Sequence, residues 1–186
     1  MNESMSAVVV MGVAGCGKSS VAAGLAAEID GFLIEGDAFH PEANVTKMRA
    51  GIPLGDDDRA GWLDQLAAEL VRALATNQRP VLACSALKRK YRERLRRAVP
   101  GLGFVFLSLP RDVAAERVAA RGGHYMPATL VDSQFADLES PVGEPQTFSA
   151  DATLPVMDVC RAAAEWFRTE NLKETTEIAL PETLSP

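Results

Sequence analysis

Two kinds of segment alternate along this chain when it is read for hydrophobic and polar positions. Short apolar runs recur at residues 7–11, 31–35, 80–84 and 104–107, with a weaker one at 147–149. Runs this short, rich in β-branched and aromatic residues and bounded by Gly, Pro or charge, fit strands buried on both faces of a sheet. Between them the apolar positions fall at helical spacing. Val21, Leu25 and Ile29 mark a helix over 19–29, and Leu63, Leu66, Leu70 and Leu74 one from 57 or 58 to about 76. Leu87, Tyr91, Leu95 and Val99 stripe another, and further helices are expected near 44–50, 112–121, 128–139 and 155–168. Strands separated by helices pair in parallel, so the expected fold is α/β: a five-stranded parallel sheet with helices on both faces, a three-layer sandwich. In such sheets ligands bind beyond the carboxyl ends of the strands. Residues 170–186 carry two Pro, several Thr and Glu and no sustained period, which predicts a disordered tail after one domain over 1–169.

Composition narrows the classes without choosing one. The 19 Lys and Arg against 25 Asp and Glu leave a net charge of −6, which weighs against a coat for nucleic acid or anionic lipid. Cys16, Cys84 and Cys160 are too few and too scattered for a disulfide framework or a zinc site, so reduced thiols in a cytoplasmic protein are expected. No segment reaches the ~20 apolar residues that span a bilayer. Val13-Ala14-Gly15-Cys16 resembles a lipoprotein cleavage box, but residues 1–7 hold no Lys or Arg and the apolar run before it is too short for a signal segment.

The firmest chemistry follows the first strand. Gly12-Val13-Ala14-Gly15-Cys16-Gly17-Lys18-Ser19 satisfies the full phosphate-loop pattern, between a strand and a helix as the motif requires. Glycines let successive backbone N–H groups turn around a phosphate oxyanion, and the helix N-terminus adds its dipole. Lys18 supplies a mobile charge to the outer phosphates, and the Ser19 hydroxyl is a ligand for Mg²⁺. This predicts binding of a nucleoside triphosphate. A GTPase is not expected: Asp58-Arg59-Ala60-Gly61 matches one of its patterns but follows no strand, and an Asn-Lys-x-Asp for guanine is absent.

Glu35 and Asp37 stand at the end of the second strand. Two residues apart on an extended end, their carboxylates project the same way, towards the nucleotide. One is a candidate for holding magnesium through water, the other for accepting a proton from a substrate hydroxyl. The third strand ends instead in Ser85 and Lys88, groups suited to an anionic, polyhydroxylated substrate. Residues 88–97 hold seven Lys or Arg and one Glu, yet their Leu87/Tyr91/Leu95 stripe reads as an amphipathic helix with a solvated basic face rather than a nucleic-acid site. Asp56-Asp57-Asp58 is open to two readings, a helix N-terminal block or a part of the substrate region.

Together these motifs resemble the phosphate-loop gluconate kinases, relatives of shikimate and nucleoside-monophosphate kinases. The resemblance runs from about Val8 to Phe167. It is carried by Met11-Gly12-Val13, Gly36-Asp37, His40-Pro41, then Asn44, Lys47 and Met48. Pro53-Leu54 with Asp56-Asp57-Asp58-Arg59 and Trp62-Leu63 continue it, followed by Cys84-Ser85-Ala86-Leu87-Lys88, Tyr91-Arg92, Gly123-His124 and Gln134-Phe135. The resemblance implies the kinase form of the sandwich and Mg·ATP-dependent phosphorylation of D-gluconate at its terminal hydroxyl, in a cytoplasmic homodimer. It further implies a lid at about 112–127 whose Arg117 and Arg121 close over the phosphates, and a loop near 151–155 beside the adenine. Asp37 would orient or deprotonate the attacking hydroxyl, Lys18 and Arg121 would serve catalysis, and Ser19 and Glu35 the metal. His40, Lys47, Arg49, Ser85, Lys88, Arg92 and His124 are candidates for the carboxylate and hydroxyls of the sugar acid. Two positions depart from the pattern: Glu35, where Asp is frequent, and Gly55, where Asn is familiar. The alternatives are a kinase for another hydroxy acid such as shikimate, or a nucleotide-switched RNA-associated protein using the basic helix.

Overall fold

The computed structural model describes residues 4–76, 78–120 and 128–178, the side chains of 128–129 and 173–178 excepted. Five strands, β1 (Ala7–Met11), β2 (Phe32–Glu35), β3 (Pro80–Ala83), β4 (Leu102–Ser108) and β5 (Thr147–Asp151), form one sheet in the order β2-β3-β1-β4-β5. Every pairing is parallel: Val9 lies between Leu82 and Phe104, and Glu35 is in register with Ala83. The helices are α1 (Lys18–Glu28), α2 (Glu42–Arg49), α3 (Asp56–Ala75), α4 (Arg89–Ala98), α5 (Arg111–Ala120), α6 (Ala128–Asp137) and α7 (Val156–Ile178).

The period-two alternation of β1 sorts its side chains into two cores. Val8 and Val10 join Val81, Val105 and Leu107 under α1 and α7, which bury Val21, Leu25, Cys160 and Phe167 there. Ala7, Val9 and Met11 face the other way with Leu82, Phe104 and Phe106, beneath the Leu63/Leu66/Leu70 stripe of α3 and the Tyr91/Leu95 stripe of α4. A continuous apolar strand is thus one with a core on each side.

The tail departs from expectation. Rather than ending near Arg168, α7 runs on to Ile178, so the described part of that segment, 170–178, is helical. Asn171 ties this stretch to the N-terminal strand's approach: its side-chain oxygen accepts from the Met5 N–H at 2.7 Å, and its amide nitrogen donates to the Met5 carbonyl at 3.3 Å. Residues 179–186 lie outside the described residues. Among the described residues no helix is long and apolar enough to cross a membrane.

Candidate active site

Parallel pairing brings the carboxyl ends of β1, β2 and β3 together, and with them three loops. After β1 the chain turns through Gly12, Gly15 and Gly17, all at positive φ (146°, 82° and 90°), into α1. Gly15 is also sterically required, since a Cβ there would lie 2.9 Å from the Ala114 carbonyl of α5. Lys18 folds over this loop and donates to the Val13 carbonyl at 3.0 Å.

After β2 the backbone does not stay extended. Residues Gly36–Phe39 form a 3₁₀ turn, so Glu35 and Asp37 leave the strand in different ways, a correction to the extended end read from their spacing. The turn is tight: a Cβ on Gly36 would collide with the Ala83 carbonyl of β3. Asp37 reaches the cleft directly, whereas Glu35 lines the neighbouring groove along β2 and meets the cleft through Ser19. Ser19 Oγ donates to Glu35 Oε2 at 3.0 Å, and Asp37 lines the cleft with Lys18 and Ser19, its carboxylate 80% exposed.

Asp37 is held from behind. Trp62 of α3, fully buried, donates its indole N–H to the Gly36 carbonyl at 2.8 Å, and its ring stacks on His40 at 4.1 Å. Asn44 Nδ2 donates to the Asp58 carbonyl at 2.7 Å and also faces His40 Nδ1 at 3.4 Å. A nitrogen that donates to a carbonyl has only a second hydrogen to offer the ring, so Nδ1 accepts and the His40 proton sits on Nε2, 3.9 Å from Asp37 Oδ1. Burial lowers the His40 pKa below 6.5, with Asp37 opposing and Arg59 adding to the shift, and this favours the neutral ring.

The resulting cleft, about 160 Å³, is lined by the phosphate loop, Asp37, His40, Arg59 and Ser85, and across from them by Ser133, Gln134 and Asp137 of α6. A larger, mainly apolar groove of about 480 Å³ runs along the β2 edge past Phe32 and Phe39 but contains neither Lys18 nor Asp37.

Of the residues expected to meet the substrate, Asp37, His40 and Ser85 line the cleft and several others do not. Arg92 is fully buried: it donates to the Ala86 and Leu87 carbonyls and forms a two-pronged ion pair with Glu144. It braces α4 against the 139–145 loop and has no face for a ligand. Lys47 is 2.6 Å from Asp58, Lys88 lies between Asp56 and Asp137 at 3.2 and 3.1 Å, and Arg49 is exposed and does not line the cleft. Arg117 donates to the Ala152 carbonyl at 2.9 Å, tying α5 to the loop after β5 instead of reaching the phosphate loop. Arg121 and His124 lie outside the described residues.

Those partners also settle the acidic block. Asp56 accepts from Lys90, Tyr91 and Lys88, hydrogen bonds that hold its pKa well below the usual carboxylate range, while Asp58 accepts from Lys47 and the Gly55 N–H. The block is the architectural start of α3, with Gly55 as its N-terminal flank. The basic face of α4 is similarly committed: among the described residues, six of the seven cations of 88–97 are ion-paired, with Asp56, Asp64, Glu93, Asp137 and Glu144.

Sequence reasoning missed two residues as site groups. Arg59 was legible only as the end of the acidic block, yet its buried side chain lines the same cleft as Asp37. Gln134 stood in a quoted motif without a role; its Oε1 accepts the Ala14 N–H of the phosphate loop at 2.7 Å.

A glycine-lined anion loop with a Lys folded over it, a hydroxyl–carboxylate pair beside it and a second carboxylate lining the same cleft define a phosphate-loop phosphotransferase. Comparison with known proteins refines that class. The AAA domain family model matches residues 8–145. The gluconokinase of Gluconobacter oxydans (strain 621H) is 48% identical over 134 residues, 72% of this chain and 75% of its own. The thermoresistant gluconokinase of Escherichia coli (strain K12) is 37% identical over 158 residues, 84% and 90% of the two chains. The solved gluconokinase of Sinorhizobium meliloti 1021 matches at a TM-score of 0.84 and 41% identity, covering 94% of this chain and 99% of that one. The chain belongs to the gluconokinase family.

Proposed function

We propose that this chain transfers the γ-phosphoryl group of ATP to the terminal hydroxyl of D-gluconate, giving 6-phospho-D-gluconate and ADP. The observation that carries the reading is the convergence of Lys18, Ser19 and Asp37 on one cleft, with Glu35 bonded to Ser19, in a chain of this family. Asp37 accepts the proton of the attacking hydroxyl. Its exposed carboxylate faces the cleft, and the Trp62–Gly36 bond and the neutral His40 hold the turn that carries it. Lys18 leaves the Val13 carbonyl for the outer phosphates, a short swing for a flexible ammonium. In-line transfer then depends mostly on positioning and on charge aimed at the transferring group.

Mg²⁺ fits the donors present. Ser19 Oγ and Glu35 Oε2 lie 3.0 Å apart, a hydroxyl and a carboxylate of the hard-oxygen kind this ion takes while keeping waters and substrate phosphates in its remaining positions. When bound it would neutralise phosphate charge, with Glu35 acting through water. Arg59 lines the substrate side and suits the sugar-acid carboxylate. The 112–127 segment is the lid in this reading, with Arg117 exchanging the Ala152 carbonyl for phosphate as it closes. The sheet and its helices through α7 act as one kinase domain, in a cytoplasmic homodimer.

The test is a panel assay. ADP release is followed with Mg·ATP and gluconate, other sugar acids, shikimate or nucleoside monophosphates. Gluconate is expected to stimulate turnover well above every other acceptor. Silence with gluconate and clear turnover of another acceptor would remove the substrate assignment.

A further inference from the structure

Gln134 is the one contact described between α6 and the phosphate loop that uses a side-chain amide, and its chemistry is constrained. A backbone N–H only donates, so the Ala14 bond fixes the amide with Oε1 on the loop and sends both Nε2 hydrogens away from it. Among the described residues those two donors meet no acceptor, while the side chain is part-buried and lines the same cleft as Asp37, His40 and Ser85. It is not isolated on α6. Leu130, Ser133, Gln134 and Asp137 line the cleft at spacings of three, one and three residues, one helical face turned to the acceptor side.

The charged groups of the cleft already have counterparts. Lys18 matches phosphate, Arg59 a carboxylate and Asp37 the attacked hydroxyl, while Asp137 is paired with Lys88, which leaves neutral donors for the uncharged part of a polyol chain. We infer that Gln134 is an acceptor-recognition residue: oriented by the Ala14 N–H, its Nε2 donates to a secondary hydroxyl of the sugar acid. Because one amide touches both the loop and the acceptor, it also sets the acceptor's distance from the phosphoryl group the loop presents. This inference rests on the sugar-acid kinase reading above.

Two variants test it. Gln134→Met keeps length but has neither donor nor acceptor; Gln134→Glu keeps the acceptor for Ala14 and removes the donors. Each is assayed with ATP at saturation against gluconate and a set of its single-deoxy analogues, alongside thermal melting and nucleotide affinity. Both variants are expected to melt near the parent, and in neither does ATP affinity fall in step with the acceptor loss. For Gln134→Met, kcat/KM for gluconate falls roughly 5- to 50-fold. On the one deoxy analogue that lacks the contacted hydroxyl, parent and variant become equal. Gln134→Glu loses acceptor efficiency even though its loop bond survives.

An equal loss on every analogue overturns the inference, as does Gln134→Glu with parental kcat/KM. A fall in nucleotide affinity that tracks the acceptor loss would make Gln134 a brace for the loop and equally overturns it. If Gln134→Met fails to fold, Gln134→Glu against the deoxy set decides alone. If the parent turns over a different acid, the kinase substrate assignment fails first, and the same comparison on that acid's deoxy forms still judges Gln134.

Discussion

At Asp37 the chemistry reduces to one carboxylate, open to the cleft and backed by buried aromatic rings. Asp37→Asn keeps the shape and removes the proposed base. ATP binding, measured by nucleotide fluorescence, should stay within a few-fold, while kcat falls by about 10²–10⁴. His40 behaves differently, since its burial matters more than its reactivity. Its folded pKa lies below 6.5, so the unfolded chain binds a proton that the folded chain refuses. Its contribution to stability is therefore complete above that value and lost as pH falls through the folded one. Denaturant unfolding at about pH 7.5 and about pH 5.5 should show stability dropping on the acid side, with a shallower drop in His40→Asn. At this scale the residue types at the site were legible from motif spacing, but their partners were not. Lys47, Lys88 and Arg92 carry the charge an anionic substrate wants, and only coordinates show that Asp58, Asp56 with Asp137, and Glu144 already hold them.

Among elements, the layers are held by faces that periodicity made readable and by close approaches it did not. The stripe of α3 could be drawn from Leu63, Leu66 and Leu70 alone. That Trp62, beside it, stacks on His40 and bonds the Gly36 carbonyl required the β2 turn to be placed. Where α1 meets α7, Gly24 faces Cys160, and a Cβ there would come within 2.5 Å of its sulfur. Gly24→Ala should thus destabilise by about 1–3 kcal/mol despite alanine's better helix propensity, because overpacking outweighs it. Thermal melting checks the sign, and a more stable variant would mean the two helices slide apart at little cost.

For the molecule as a whole, the buried Arg92–Glu144 pair joins α4 to the loop that leads into β5, with Arg96 on the same carboxylate. Burial opposes ionisation of Glu144, but the hydrogen bonds from Arg92 and Arg96 outweigh it and hold its pKa below 4.5. Stability from this carboxylate is present above that value and lost as pH falls through the lower, folded one. Arg92→Met leaves Glu144 buried without its two-pronged partner and should cost about 3–5 kcal/mol in denaturant unfolding. ATP and acceptor KM should hold at temperatures where the variant is folded. A selective rise in acceptor KM with unchanged stability would restore Arg92 as a substrate ligand.

The sequence by itself determined the strand–helix alternation, the phosphate loop and the family, since each is written in local spacing: period two, period three to four, and glycines at set intervals. Its weaknesses were also local in origin. The tail was judged from composition, which has no access to a bond between Asn171 and Met5, 166 positions apart. Tertiary structure alone decided which cations face the cleft and which are neutralised within the frame. Charge pairing depends on distances between elements that are remote in the chain, and no spacing rule records them. The same holds for Gln134, whose role arises from a hydrogen bond across 120 residues to the loop that the sequence made plainest.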